Sequence, residues 1–191
     1  MCEGRAHDGS AVPIPSPIIE KLAQAQTTFF EAADAIPPAQ WTMQPGTRRW
    51  SAAEVVAHLV TVELAVVGGA DRITQKPPKP IPFLQRMHLP IRLVESRLIR
   101  RKSPLPLDAT LVCAKEEMLA QLRAARERSL AFLEETKKRD LSAYRWRHAF
   151  LGMLNIYEWF EMIAAHQMRH AKQIKEIAGK LPKPVTTAGN W

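Results

Sequence analysis

Four stretches of the chain carry apolar residues at spacings of three and four, the period of an α-helix with one inward face. In the first, Ile19, Leu22, Gln26, Phe29, Phe30 and Ala33 share a face, with Ser16 as N-cap, Pro17 at the first helical position and Pro37 as the stop. The second opens on Ser51-Ala52-Ala53-Glu54, a capping box in which serine and glutamate satisfy each other's backbone N–H groups. Trp50 just before it is placed to close a hydrophobic staple on Val55. The inward face then runs through Val55, His58 or Leu59, Val62 and Val66, Gly68-Gly69 weakens the end, and Pro77 terminates the helix. The third is expected from Asp108 to about Lys138, with Leu111, Met118, Leu122, Ser129 and Leu133 inward and Glu116, Glu117, Arg123 and Arg126 on a solvated face. The fourth runs from Asn155 to Ala178, stopped by Gly179 and Pro182, with Ile156, Trp159, Phe160, Ile163, His166, His170, Ile174 and Ile177 in one stripe.

Proline placement supports this division. Gly46 to Lys76 and Leu107 to Leu181 contain none, whereas seven fall at 77, 78, 80, 82, 90, 104 and 106. The pattern predicts an all-α four-helix bundle over residues 16–181 with one long Pro-rich crossover at 76–107, a tail at 1–15 and another at 182–191. A length of 191 residues suits one such domain.

The net charge of +8 is concentrated in that crossover. Lys76, Lys79, Arg86, Arg92, Arg97, Arg100, Arg101 and Lys102 face a single acid, Glu95, so residues 76–102 carry +7 and the rest of the chain +1. A nucleic-acid-binding domain would spread basic residues along its binding elements, and neither a helix-turn-helix nor a finger motif is present, so no specific nucleic-acid partner is expected. The stretch 89–102 can form a short basic amphipathic helix, either a solvated lid over one bundle end or a contact for a partner or an anionic surface.

Cys2 and Cys113 offer no disulfide framework, and Cys113 reads as a small semi-buried residue. Met1 to Ser10 lacks a basic cluster followed by an apolar run, and no stretch has eighteen consecutive apolar residues. A cytoplasmic protein without a membrane span is expected.

The chemistry lies in the histidines that interrupt apolar faces. His166 and His170 are four residues apart, so their rings project from consecutive helical turns and can converge on one ion. His58 is the natural third ligand, being the other histidine on an inward stripe, while His7 is in the tail and His88 in the basic connection. Three imidazoles suit a divalent ion, Zn or Ni foremost with Fe, Co and Mn as further fits, and leave positions open for water or substrate. An i, i+4 histidine pair is also a common accident of a surface helix, and spacing alone leaves both readings standing. Gln167 follows His166 where the zinc-protease motif requires a glutamate base, which argues against a peptidase.

Trp50-Ser51 with His58-Leu59, then Leu151-Gly152, Glu158-Trp159, His166, Arg169-His170 and Gln173-Ile174 resemble, in order and distance, the DinB-like superfamily. That superfamily includes the YfiT-like metal-dependent hydrolases, and the resemblance spans about residues 17 to 180. It implies a four-helix bundle with a divalent metal on His58, His166 and His170. Members include thiol transferases using bacillithiol, mycothiol or glutathione, and related isomerases; the family name does not imply DNA binding. The expected activity is therefore a thiol S-transferase or hydrolase acting on a small electrophilic molecule, with a low-molecular-weight thiol as a further cofactor and a homodimer as the assembly. The alternative is a non-catalytic bundle whose basic connection binds a protein partner or an anionic surface.

Other residues complete the expected site. His148, before the Leu151-Gly152 turn, is a candidate acid/base or substrate donor, with a surface loop histidine as the alternative. Arg145, Arg147 and Arg169 could hold a carboxylate of a thiol cofactor, against the usual solvent-facing role of helix-surface arginines. Glu63 and Glu158 are candidates to orient a ligand imidazole, or else simply exposed.

Overall fold

The computed structural model describes residues 16–96 and 112–182. Four helices form the bundle: α1 (Ser16–Asp34), α2 (Ala52–Thr74), α3 (Lys115–Glu135) and α4 (Ile156–Ala178). Helix α1 packs along α4, and α2 packs on both α3 and α4. A hairpin of β1 (Arg145–His148) and β2 (Gly152–Asn155) leads into α4, with Arg145 opposite Asn155 and His148 opposite Gly152.

Both central helices start on reciprocal caps. In α2, Ser51 Oγ accepts from Glu54 N at 3.2 Å and Glu54 Oε2 accepts from Ser51 N at 2.7 Å. In α4, Asn155 and Glu158 repeat the arrangement at 2.9 and 2.7 Å. Each box removes two N–H groups from the set a helix start would leave without partners. The site helices are thus fixed in register at their first residues.

The core divides into two apolar clusters. One gathers Phe29, Ile36 and Trp41 with Val55, Val56, Met118, Leu122, Ile174 and Ile177, and the other gathers Ile18, Leu22, Val66, Phe132, Leu133, Leu154, Phe160 and Ile163. On α2, α3 and α4 a polar residue lies between the two stretches: Glu63, Arg126 and Gln167. Arg126 Nε and Nη2 donate to the two Glu63 oxygens at 2.6 and 3.2 Å, Nη2 also donates to Gln167 Oε1 at 2.7 Å, and Nη1 to the Leu22 carbonyl at 2.7 Å. Ser129 Oγ adds a bond to Glu63 Oε1 at 2.7 Å. One guanidinium therefore ties all four helices together at mid-bundle, and the charge is buried because its donors are matched.

Several expectations are corrected here. Arg126 is 2% exposed and not on a solvated face, since Glu63 supplies its counter-charge inside the bundle. On α1 the inward residue is Ile18, and Ile19 lies outward at 41% exposure, one position round the helix. Helix α3 begins at Lys115, not Asp108, because Ala114 is extended and Val112 and Cys113 pack against the first cluster before the helix starts; Asp108 and Leu111 fall outside the described residues. Lys115 anchors that start by donating to the Ile36 carbonyl at 2.9 Å.

The crossover is not an amphipathic helix from 89 onward. Residues Ile91–Glu95 form a 3-10 turn that ends at Ser96 in extended conformation, and Arg97 to Lys102 lie outside the described residues. A second 3-10 turn spans Phe83–Arg86. Between them His88 pairs with Gly152, and Leu89 N donates to the Leu151 carbonyl at 2.8 Å, so the crossover is laid along the hairpin. Helix α2 is long and apolar enough to cross a membrane by length and composition, but Val55, Val56, Ala57, Leu59, Val60, Val66 and Ala70 are buried in the bundle core.

Candidate metal centre

Helical spacing puts His166 and His170 on one edge of α4, and the α2 cap sets His58 facing them. His166 Nε2 lies 3.2 Å from His58 Nε2 and 3.0 Å from His170 Nε2, and the three ligand atoms all fall within 4.8 Å of one another. His58 and His170 are each 6% exposed. With metal–nitrogen bonds of 2.0–2.1 Å, two nitrogens on one ion lie about 3.0 Å apart at a right angle and about 3.4 Å apart at the tetrahedral angle. The two observed separations fall inside that window.

Proton accounting favours a cation at this point. His170 Nδ1 donates to Gln173 Oε1 at 3.0 Å, which leaves its Nε2 lone pair pointing into the cluster. With His170 Nε2 unprotonated, a proton on Nε2 of either His58 or His166 can bridge one of the two contacts well but not both. One ion would engage all three lone pairs at once.

Electrostatics keep the rings neutral. Burial lowers His58 from 6.5 to about 4. His166 falls to about 3, through burial first and then the nearby His58, Arg169 and His148. His170 is held well below the usual imidazole range by burial, His166 and His58, and the Gln173 bond opposes this only in part. Neutral imidazole is the form that ligates metal.

Trp50 is a member of this site that the pattern of spacings did not assign. Its ring packs 5.1 Å from His58 and stacks on His170 at 6.4 Å with 14° between planes, while the residue also packs against the cluster that contains Val55. Gln173, and neither of the two candidates Glu63 and Glu158, bonds a ring of this cluster. Glu63 bonds Arg126 and Ser129, and Glu158 bonds His88 Nε2 at 3.1 Å and Arg145 Nη1 at 3.5 Å. The i+3 spacing of Gln173 after His170 was the available signal.

The hairpin sorts the remaining candidates by strand alternation. Trp146 and His148 share one side: Trp146 stacks on Trp159 at 4.6 Å, and the His148 ring lies 5.1 Å from Trp159. Arg145 and Arg147 are on a strand, not on a helix surface; Arg145 is paired with Glu158, and Arg147 is exposed. His148 Nδ1 accepts the Phe150 and Leu151 N–H groups, each at 3.1 Å, which leaves the proton of its neutral ring on Nε2. Burial lowers its pKa. Arg169, half-buried on α4, donates to the Val94 carbonyl at 3.4 Å and is near enough to oppose protonation of His166 and His170. Cys113 is half-buried, with Gln121 Nε2 3.8 Å from its sulfur.

Comparison with known proteins agrees with the helical-bundle architecture. The family model described as DinB superfamily matches residues 21–174. The uncharacterized protein YuaE of Bacillus subtilis (strain 168) is 26% identical over 141 residues, which cover 73% of this chain and 84% of YuaE.

Proposed function

The chain belongs to the DinB superfamily, and from that premise we propose that it is a metal-dependent enzyme, a thiol S-transferase or hydrolase acting on a small electrophilic molecule. His58, His166 and His170 hold one divalent ion, Zn or Ni in first place and Fe, Co or Mn otherwise. The observation that carries this reading is the convergence of three imidazole nitrogens, from the buried His58 and His170 and the half-buried His166, with the rings held neutral by desolvation. The bound ion would supply Lewis-acid activation of a thiol or of water.

The chain's own residues do the rest. Gln173 fixes the ring of His170 so that Nε2 faces the ion position. Trp50 covers His58 and His170 and keeps water from that side of the cluster. His148, neutral and carrying its proton on Nε2, donates that proton to substrate or leaving group. Arg169 supplies the positive field for a carboxylate of a low-molecular-weight thiol. Arg145 and Arg147 are weaker choices, one committed to Glu158 and the other exposed on the hairpin. A cytoplasmic homodimer is the proposed setting.

The test is elemental analysis of tag-free protein purified without chelators, beside His58→Ala, His166→Ala and His170→Ala. About one ion per chain, lost in each variant while the fold is retained, supports the centre. It would then justify screening thiols and electrophiles with that ion restored. Unchanged metal content in all three variants, or no uptake of Zn, Ni, Co or Mn, sinks the proposal.

A further inference from the structure

The crossover carries apolar side chains that the fold does not use. Phe83 and Leu84 are 79% and 78% exposed, Met87 70%, Leu89 53% and Leu93 44%. They are not the loose side chains of an unanchored loop. His88 is bridged to Gly152 and its Nε2 meets Glu158, Leu89 N is bonded to Leu151, and the Ile91–Glu95 turn packs on α4. In that turn Ile91 and Val94 pack toward the second core cluster, while Leu93 is left outside. The Phe83–Arg86 turn leans on β2, close to the hairpin tip where Phe150 is 40% exposed. Five large apolar residues within eleven positions are thus held outward on a fixed base.

Their surroundings are basic. Lys76, Lys79, Arg86 and Arg92 are all exposed in the same segment, and the acid among them, Glu95, is 3.9 Å from Lys172. Soluble surfaces seldom keep contiguous apolar groups exposed without an occupant. A second copy of the chain would bring two faces of the same positive sign together, which charge complementarity opposes. Exposed apolar side chains in a segment that also exposes lysine and arginine match a surface that is anionic outside and hydrocarbon just beneath.

We infer that this face docks the protein on anionic membrane surfaces, with Phe83 and Leu84 entering the headgroup boundary and Lys76, Lys79, Arg86 and Arg92 meeting lipid phosphates and carboxylates. The attachment is peripheral and reversible, and it is independent of the metal reading because it uses none of the three histidines.

The experiment is co-sedimentation of the full chain with vesicles of phosphatidylserine in phosphatidylcholine and with vesicles of phosphatidylcholine alone. Hydrogen exchange on the same samples reads the backbone of residues 81–93. The expected result is binding to the anionic vesicles only, weakened by salt, with slower exchange across 81–93. The Phe83→Ser, Leu84→Ser double variant, altered at two exposed positions, should bind at least about tenfold more weakly at an unchanged melting temperature. Three results overturn the inference. One is no binding to anionic vesicles. Another is equal binding by the double variant, which reduces the effect to attraction between a basic protein and any polyanion. The third is a wild-type dimer that the double variant splits, which assigns the face to a second copy.

Discussion

Gln173 Oε1 accepts the Nδ1 proton of His170 at 3.0 Å and so decides which nitrogen of that ring faces His58 and His166. Without it the ring could turn or carry its proton on Nε2, where a cation would have to displace it.

Gln173→Leu should therefore leave the bundle folded and weaken divalent metal binding by about 10- to 100-fold. Titration with Co(II), followed by its visible absorption, measures this directly. An affinity equal to wild type would remove Gln173 from the site.

The Arg126–Glu63 pair makes a different prediction, because neither residue touches the histidines. Arg126→Met leaves the Glu63 carboxylate buried without its counter-charge, at a cost of about 3–5 kcal/mol. Adding Glu63→Leu removes the stranded charge and should recover part of that loss. Urea denaturation of the two single variants and the double variant checks it, and strict additivity would mean the two side chains are not coupled.

Acid should weaken the metal-free protein before its carboxylates titrate. His58 sits at about 4 in the fold against 6.5 for the model imidazole, so between these values the unfolded chain binds the proton and the folded chain does not. Stability is then full above about pH 6.5 and is lost as the pH falls toward 4, by about 3 kcal/mol for this ring alone. His166, shifted in the same direction to about 3, extends the loss to lower pH. Denaturation midpoints with chelator present at pH 7, 6 and 5 read the slope, and His58→Gln should flatten it. A midpoint constant from pH 7 to pH 5 would contradict the burial argument.

Gly152 lies against the crossover backbone, bridged to His88. Its φ is +103°, and a β-carbon there would come within 2.9 Å of the Met87 carbonyl oxygen and 3.3 Å of His88 Cα. Gly152→Ala should cost about 1–3 kcal/mol and release the crossover. Faster amide exchange at Leu89, whose N–H bonds the Leu151 carbonyl, is the specific signature.

What the sequence disclosed was what is local or periodic. The Ser51–Glu54 box and the stripe from Ile156 to Ile177 depend on neighbours within a few residues, and both appear as expected. The three histidines could be brought together on paper because each interrupts an apolar face, and two of them share one helix. Arg126 escaped because its burial depends on Glu63, 63 positions away, and no local pattern marks a charge as destined for the interior. The hairpin escaped for a different reason: its strands are four residues each, too short for period-two alternation to stand out. With the hairpin missed, Arg145 and Arg147 were assigned to the wrong kind of surface, and the second face of Trp50 was hidden behind its role at the helix start.

Gln167 and His166 are adjacent on α4, so their side chains leave the axis about 100° apart, one toward Arg126 and the other toward the imidazole cluster. Turning α4 far enough to withdraw its histidines would also pull Gln167 Oε1 from the guanidinium that spans the bundle. The same guanidinium holds Glu63 on α2, five residues beyond His58. Arg126 thus works as an index pin: it contacts none of the three histidines, yet it sets the rotation of both helices that carry them.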